Sequence, residues 1–124
     1  FDLLEALRYR HYLPEGGRLV VNRHLVVPTS VYQQELAVPD EESILAALSD
    51  LDVTCIDAAG LAEEAGSSLS QNIVMLGAAS GDIPLRPETL EEAMRRCVPP
   101  KTVAVNAKAF RLGRAAGGRG ASAP

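Results

Sequence analysis

The chain has 124 residues and a formal net charge of −4; 47% of its side chains are apolar, 23% charged and 4% aromatic, with no Trp. Those figures suit one modest domain with an aliphatic core, and the lack of a basic excess speaks against nucleic acid or an anionic membrane as partner. No run of about 18 apolar residues occurs, so no membrane-spanning helix is expected.

Phe1-Asp2-Leu3-Leu4-Glu5 has no basic n-region and no cleavage site, so a signal peptide is not expected. The chain opens inside a helix pattern and without Met, which predicts that an N-terminal part lies upstream. Asp2 is placed to cap a helix running to about Tyr12, with Leu3, Leu4, Leu7 and Tyr12 as its buried face. Pro14-Glu15-Gly16-Gly17 breaks that helix. Arg18–Asn22 reads as a strand rich in β-formers. Leu25-Val26-Val27 is a second apolar run ending at Pro28, and Thr29 to Pro39 reads as a loop with a short edge strand.

Pro39-Asp40-Glu41-Glu42 starts a helix with acids in its first turn, where the dipole favours them. Ile44, Leu45, Leu48 and Leu51 form its apolar stripe. Val53–Asp57 is a second strand, and Leu61–Ala65 a short helix ended by Gly66. Strand, helix and strand at these spacings predict an α/β fold: three layers, α/β/α, around a mostly parallel sheet, with the N-terminal part missing.

Ser70–Ser80 is the longest apolar segment, with Ser70 as a candidate N-cap. Periodicity alone leaves it a buried helix or a buried strand. Its length favours helix. Gly77 costs about 1 kcal/mol there relative to Ala, a cost most readily met where another backbone passes close by. Pro87 opens an amphipathic helix burying Leu90, Ala93, Met94 and Cys97, stopped by Pro99-Pro100. In Lys101–Leu112, Val103, Ala107 and Phe110 fit a helix face, although alternate residues also suit a strand. Helix is preferred, with Gly113 as its C′ residue. A domain over 1–113 and a disordered tail over 114–124 follow.

Chemical equipment is sparse. His11 and His24 have no nucleophile or carboxylate at motif spacing, and read as solvated. Asp57 sits at the carboxyl end of a strand, where α/β folds place ligand contacts, but it reads more simply as a helix cap. Glu63-Glu64 and Glu91-Glu92 read as solvated helix faces. Cys55 and Cys97 read as buried thiols without metal spacing. Neither Gly16-Gly17 nor Gly117-Gly118 makes a phosphate cradle. Asn72 and Asn106 each head an apolar segment where a buried amide needs partners; tying loops to helix ends is favoured over a substrate role. No residue is assigned a catalytic, cofactor-binding or metal-ligating part.

The ordered set Asn72–Ala78, Pro87–Ala93, Val98-Pro99-Pro100-Lys101 and Asn106–Gly113, after Glu5–Tyr9, Leu13–Gly17, Val20-Val21-Asn22 and Ile56-Asp57-Ala58, resembles the gamma-type domain of 2-oxoacid:ferredoxin oxidoreductases. Within that family the pattern is most similar to the indolepyruvate-type beta subunit. The resemblance implies oxidative decarboxylation of indolepyruvate or a related 2-oxoacid to an acyl-CoA in the cytoplasm of an anaerobically metabolising cell. It implies thiamine diphosphate and iron–sulfur clusters on a larger partner subunit, ferredoxin and coenzyme A acting on the complex, and a supporting, non-catalytic role for this chain. Family members open with a Gly-rich turn after their first strand, and this chain starts beyond that region. The alternatives are a stand-alone nucleotide- or CoA-binding α/β module, or a small enzyme using Asp57 and a His.

Overall fold

A computed structural model describes residues 1–25 and 39–118. They fall into two compact units, Phe1–Cys55 and Ile56–Pro124. The expected apolar run through Val26–Pro28 and the loop from Thr29 to Val38 lie outside the described residues, as does the tail from Arg119.

In the first unit, α1 (Leu3–Tyr9) begins where the Asp2 carboxylate accepts a 2.9 Å bond from Glu5 N–H. The helix is shorter than expected: a 3-10 turn over Arg10–Tyr12 replaces its last turn. That tighter winding takes Tyr12 off the buried face, and it stands 74% exposed. β1 (Arg18–Asn22) and β2 (Asp52–Ile56) form a two-stranded parallel sheet, with α2 (Glu41–Ala47) between them in sequence. Gly16 N–H to Asp50 O (2.8 Å) and Asp52 N–H to Gly17 O (2.9 Å) bring the two strand starts together. The first of these bonds needs Gly16 at φ +75°, which a side chain rarely adopts. Leu3, Val21, Ile44, Leu48 and Leu51 make the core, with Cys55 half-buried against it. The strand–helix–strand order is the α/β pattern read from the sequence.

Asp40 caps α2, its carboxylate accepting from Ser43 N–H at 2.8 Å. Hydrogen bonds from the Ser43 hydroxyl and N–H hold the Asp40 carboxyl below its ordinary value. A carboxylate stabilised in the folded state contributes fully above its unfolded pKa, and the contribution is lost as pH falls through the lowered value. The melting-temperature gap between wild type and Asp40→Ala is therefore expected to be widest near neutral pH. It should narrow as the pH is taken below the usual carboxylate range.

The second unit is helical: α3 (Ala58–Ala65), α4 (Gln71–Ala79), α5 (Pro87–Cys97) and α6 (Val103–Gly117). The apolar Ser70–Ser80 stretch is a helix, as its length suggested, and α4 packs on α6 more extensively than any other pair of elements. A Cβ built on Gly77 would collide with the Phe110 carbonyl, one on Gly113 with the Val74 carbonyl, and one on Gly117 with the Ala78 carbonyl. Gly113 is therefore a mid-helix packing position and not the expected C′ residue. The helix continues through Arg114, which the sequence had placed in the tail, to Gly117, and Gly118 takes the left-handed terminal conformation at φ +77°.

On α5, Met94 is 4% exposed and packs with Ala107 and Phe110 of α6, with Leu90 partly buried against them. Ala93 and Cys97, expected on that face, are exposed. This eleven-residue helix packs chiefly on α6 and buries a narrow stripe, and those two positions fall outside it. Nor is Glu91 a solvated residue. Its Oε1 lies 3.1 Å from Arg95 and 2.8 Å from Arg111, and only 19% of its side chain is exposed, so it ties α5 to α6.

Replacing Gly77 or Gly113 with Ala is expected to destabilise by about 1–3 kcal/mol through overpacking. Helix propensity alone predicts a gain of about 1 kcal/mol for the same change. Urea melts decide the sign, with Ala104→Gly at an exposed position of α6 reporting the propensity term.

Candidate ligand cleft

Loop 66–70 leads into α4, and loop 98–102 leads into α6. Gly66 closes α3 at φ +117°, and its N–H bonds the carbonyls of Ala62 and Glu63. Ser67 then caps a 3-10 turn over Ser68–Ser70, its hydroxyl accepting from Leu69 N–H at 3.2 Å. Pro99 and Pro100 open a second 3-10 turn, Pro100–Thr102, pinned by Thr102 Oγ1 donating to Pro99 O at 2.8 Å. Two proline φ angles and two hydroxyl bonds thus fix both approaches.

A cleft of about 330 Å³ lies between these approaches and the first turns of α4 and α6. Leu69, Ile73, Val98, Pro99 and Val105 supply its apolar surface. Ser67, Ser70, Asn72, Lys101, Thr102 and Asn106 supply its polar groups. The volume sits at the low end for small-molecule pockets, about 300–1,000 Å³. Among the described residues, Lys101 is the one charged lining residue and no carboxylate lines the cleft.

Both asparagines singled out in the sequence reach this cleft. Asn106 is 8% exposed, and its amide donates to Thr102 O at 3.1 Å, joining the loop to the helix start as expected. Asn72, expected to be buried, is exposed, and its Oδ1 accepts from Ile73 N–H at 2.9 Å. It stands in the first turn of α4, before the buried face begins at Val74. Ser70 is not the side-chain cap predicted for α4. The preceding 3-10 turn already aligns the chain, and Ser70 is 3% exposed at the cleft wall.

The other candidates are dispersed. Asp57 caps α3, accepting from Gly60 N–H at 3.1 Å, and a Cβ on Gly60 would press against that carboxylate. The helix therefore starts at Ala58 rather than at Leu61. His11 stacks beside Tyr12 at 4.4 Å, and His11 and His24 are both exposed. Cys97 is exposed and Cys55 half-buried, so neither is the fully buried thiol expected. Among the described residues no group of three or more His, Cys, Asp and Glu is placed to hold a metal, and no helix is long and apolar enough to cross a membrane. The sequence named the two asparagines at the cleft but did not pair Lys101 with Ser70, since one lies in a proline turn at a helix start and the other was assigned to capping.

Asp57→Ala should cost about 1 kcal/mol of stability through the lost cap, and Asp57→Asn much less. Equal turnover by the Asn variant in any reaction found would mark Asp57 as a capping residue; a large fall would mark a chemical one.

The profile of the pyruvate ferredoxin/flavodoxin oxidoreductases matches residues 1–116. The chain is 37% identical over 118 residues to the indolepyruvate oxidoreductase subunit IorB of Pyrococcus horikoshii, covering 91% of this chain and 58% of that protein. It is 36% identical to the subunit of the same name from Thermococcus kodakarensis, with the same coverage. Against the Archaeoglobus fulgidus subunit it is 33% identical over 113 residues, covering 88% of this chain and 56% of that one. The chain thus spans somewhat over half the length of the curated relatives it matches.

Proposed function

Because the chain belongs to the pyruvate ferredoxin/flavodoxin oxidoreductase family, we propose that it is a subunit, or a domain of one, in a 2-oxoacid:ferredoxin oxidoreductase. The reaction is oxidative decarboxylation of indolepyruvate or a related 2-oxoacid to an acyl-CoA. The single observation that carries this reading is a family match running through both units, from residue 1 to residue 116. Relatives named as indolepyruvate oxidoreductase subunits, at 33–37% identity, favour the aryl substrate.

The chemistry belongs to a partner. A ligated cluster calls for four thiolates or an equivalent set, and this sequence has two cysteines. The residues present do not fit such a group, and no cluster-bearing step is assigned to them. A larger subunit supplies thiamine diphosphate and the clusters, and ferredoxin and coenzyme A meet the complex rather than this chain alone. The compartment is the cytoplasm. What this chain brings is a rigid helical surface and a small cleft.

The test is co-expression with the thiamine-dependent subunit. A stoichiometric complex that reduces ferredoxin with indolepyruvate and coenzyme A is expected, with no turnover by this subunit alone. Unaided turnover by this subunit would sink the supporting role. Tight calorimetric binding of coenzyme A or a nucleotide to the subunit alone, with no complex formed, would favour a stand-alone binding module instead.

A further inference from the structure

We propose that the cleft at the start of α4 and α6 binds a small amphipathic organic anion, a carboxylate or phosphate head carried on an apolar body. Membership of a larger complex is not needed for this, because the described lining residues all lie between Ser67 and Asn106.

Three observations carry it. The first is the hollow itself, about 330 Å³ with Ile73, Val98 and Val105 on its apolar surface. Removing a hydrocarbon body from water there is favourable by roughly 25 cal/mol per Å² buried. The second is Ser70. It is 97% inaccessible, yet its hydroxyl caps neither adjoining turn and makes no hydrogen bond among the described residues. A hydroxyl on the cleft wall with no protein partner is open to a ligand's acceptor. The third is the sign of the lining. Lys101 is cationic, the Asn72 amide nitrogen is a donor whose own oxygen is already engaged, and no carboxylate opposes them among the described residues. A donor set with one positive charge selects an anion over a cation or a neutral acceptor.

An anionic head would accept from Ser70 Oγ and from the Lys101 ammonium while the body covers Ile73 and Val105. No covalent change is implied. The shared chemistry does not distinguish a free carboxylate from a phosphate monoester, and the probes below do.

Isothermal titration of the full-length protein with 3-phenylpropanoate, phenyl phosphate, 3-phenylpropanol and inorganic phosphate tests it. Saturable binding of at least one aryl anion is expected, at least about ten-fold tighter than the alcohol or inorganic phosphate. Lys101→Gln should weaken that binding about five-fold or more, Lys101→Arg should restore most of it, and Ser70→Ala should weaken it about two- to ten-fold, as loss of one hydrogen bond does. Lys101 is exposed, so its variants keep the fold, which thermal melts verify. The proposal is overturned if neither aryl anion saturates, if the alcohol binds as well as the acid, or if binding survives both Lys101→Gln and Ser70→Ala unchanged.

Discussion

The second unit depends on one steric fact: the backbones of α4 and α6 touch where side chains would ordinarily hold them apart. The carbonyls of Phe110, Val74 and Ala78 occupy the space that a Cβ would fill at Gly77, Gly113 and Gly117. Three glycines inside two helices forgo about 1 kcal/mol of helix propensity each. The return is close-packed backbone contact, dense in dispersion attraction. A carbonyl in a helix cannot retreat without loosening its own hydrogen bond, so the constraint admits little compromise.

Direction follows from the same contact. Val74 lies opposite Gly113 and Ala78 opposite Gly117, so the two helices run the same way. Parallel neighbours cannot be joined by a tight turn. The intervening α5 carries the chain back, and Pro99-Pro100 ends that return. Met94 of α5 then packs on Ala107 and Phe110, and Glu91 reaches Arg111, so the return helix is locked to α6 by both apolar and ionic contacts. Because α4 and α6 start at the same end, their N-terminal turns splay into the cleft. The cleft is thus a by-product of parallel packing, equipped with polar groups by the loops that enter it.

Much of this was legible in the sequence, and the reasons differ by element. The caps at Asp2 and Asp57 were readable because a carboxylate before a helical pattern has few other uses; Asp40, read only as a first-turn acid, caps its helix in the same way, and all three accept from an N–H three residues on. The strands were readable from β-branched runs between turns. The resemblance to the 2-oxoacid oxidoreductase family rested on an ordered set of short motifs, and the family match bears it out. Gly77 was correctly read as a point of close approach. Gly113 was not, because a glycine near the end of a predicted helix has the local signature of a terminator, and only the opposing Val74 carbonyl distinguishes the two roles. Tyr12 and Cys97 were misplaced because period arguments extend a helical face past the residue where its neighbour ends. The cleft was the least legible feature. It joins Ser70 to Lys101, thirty-one positions apart in the chain, and no local pattern encodes that meeting.

The same locking bears on how the cleft could serve a larger assembly. A site built on loops alone shifts as its loops shift, whereas one hung on packed helices inherits their precision. Here both cleft-forming helix starts belong to a pair whose separation is fixed by backbone contact, and both approach loops are pinned by hydroxyl bonds and proline angles. The backbones at Ser70 and Lys101 are therefore placed before any ligand arrives, and the ordering left to be met on binding is mainly that of the exposed Lys101 side chain. The proposed binding of a small anion thus rests on a donor-lined hollow carried by the packed starts of α4 and α6.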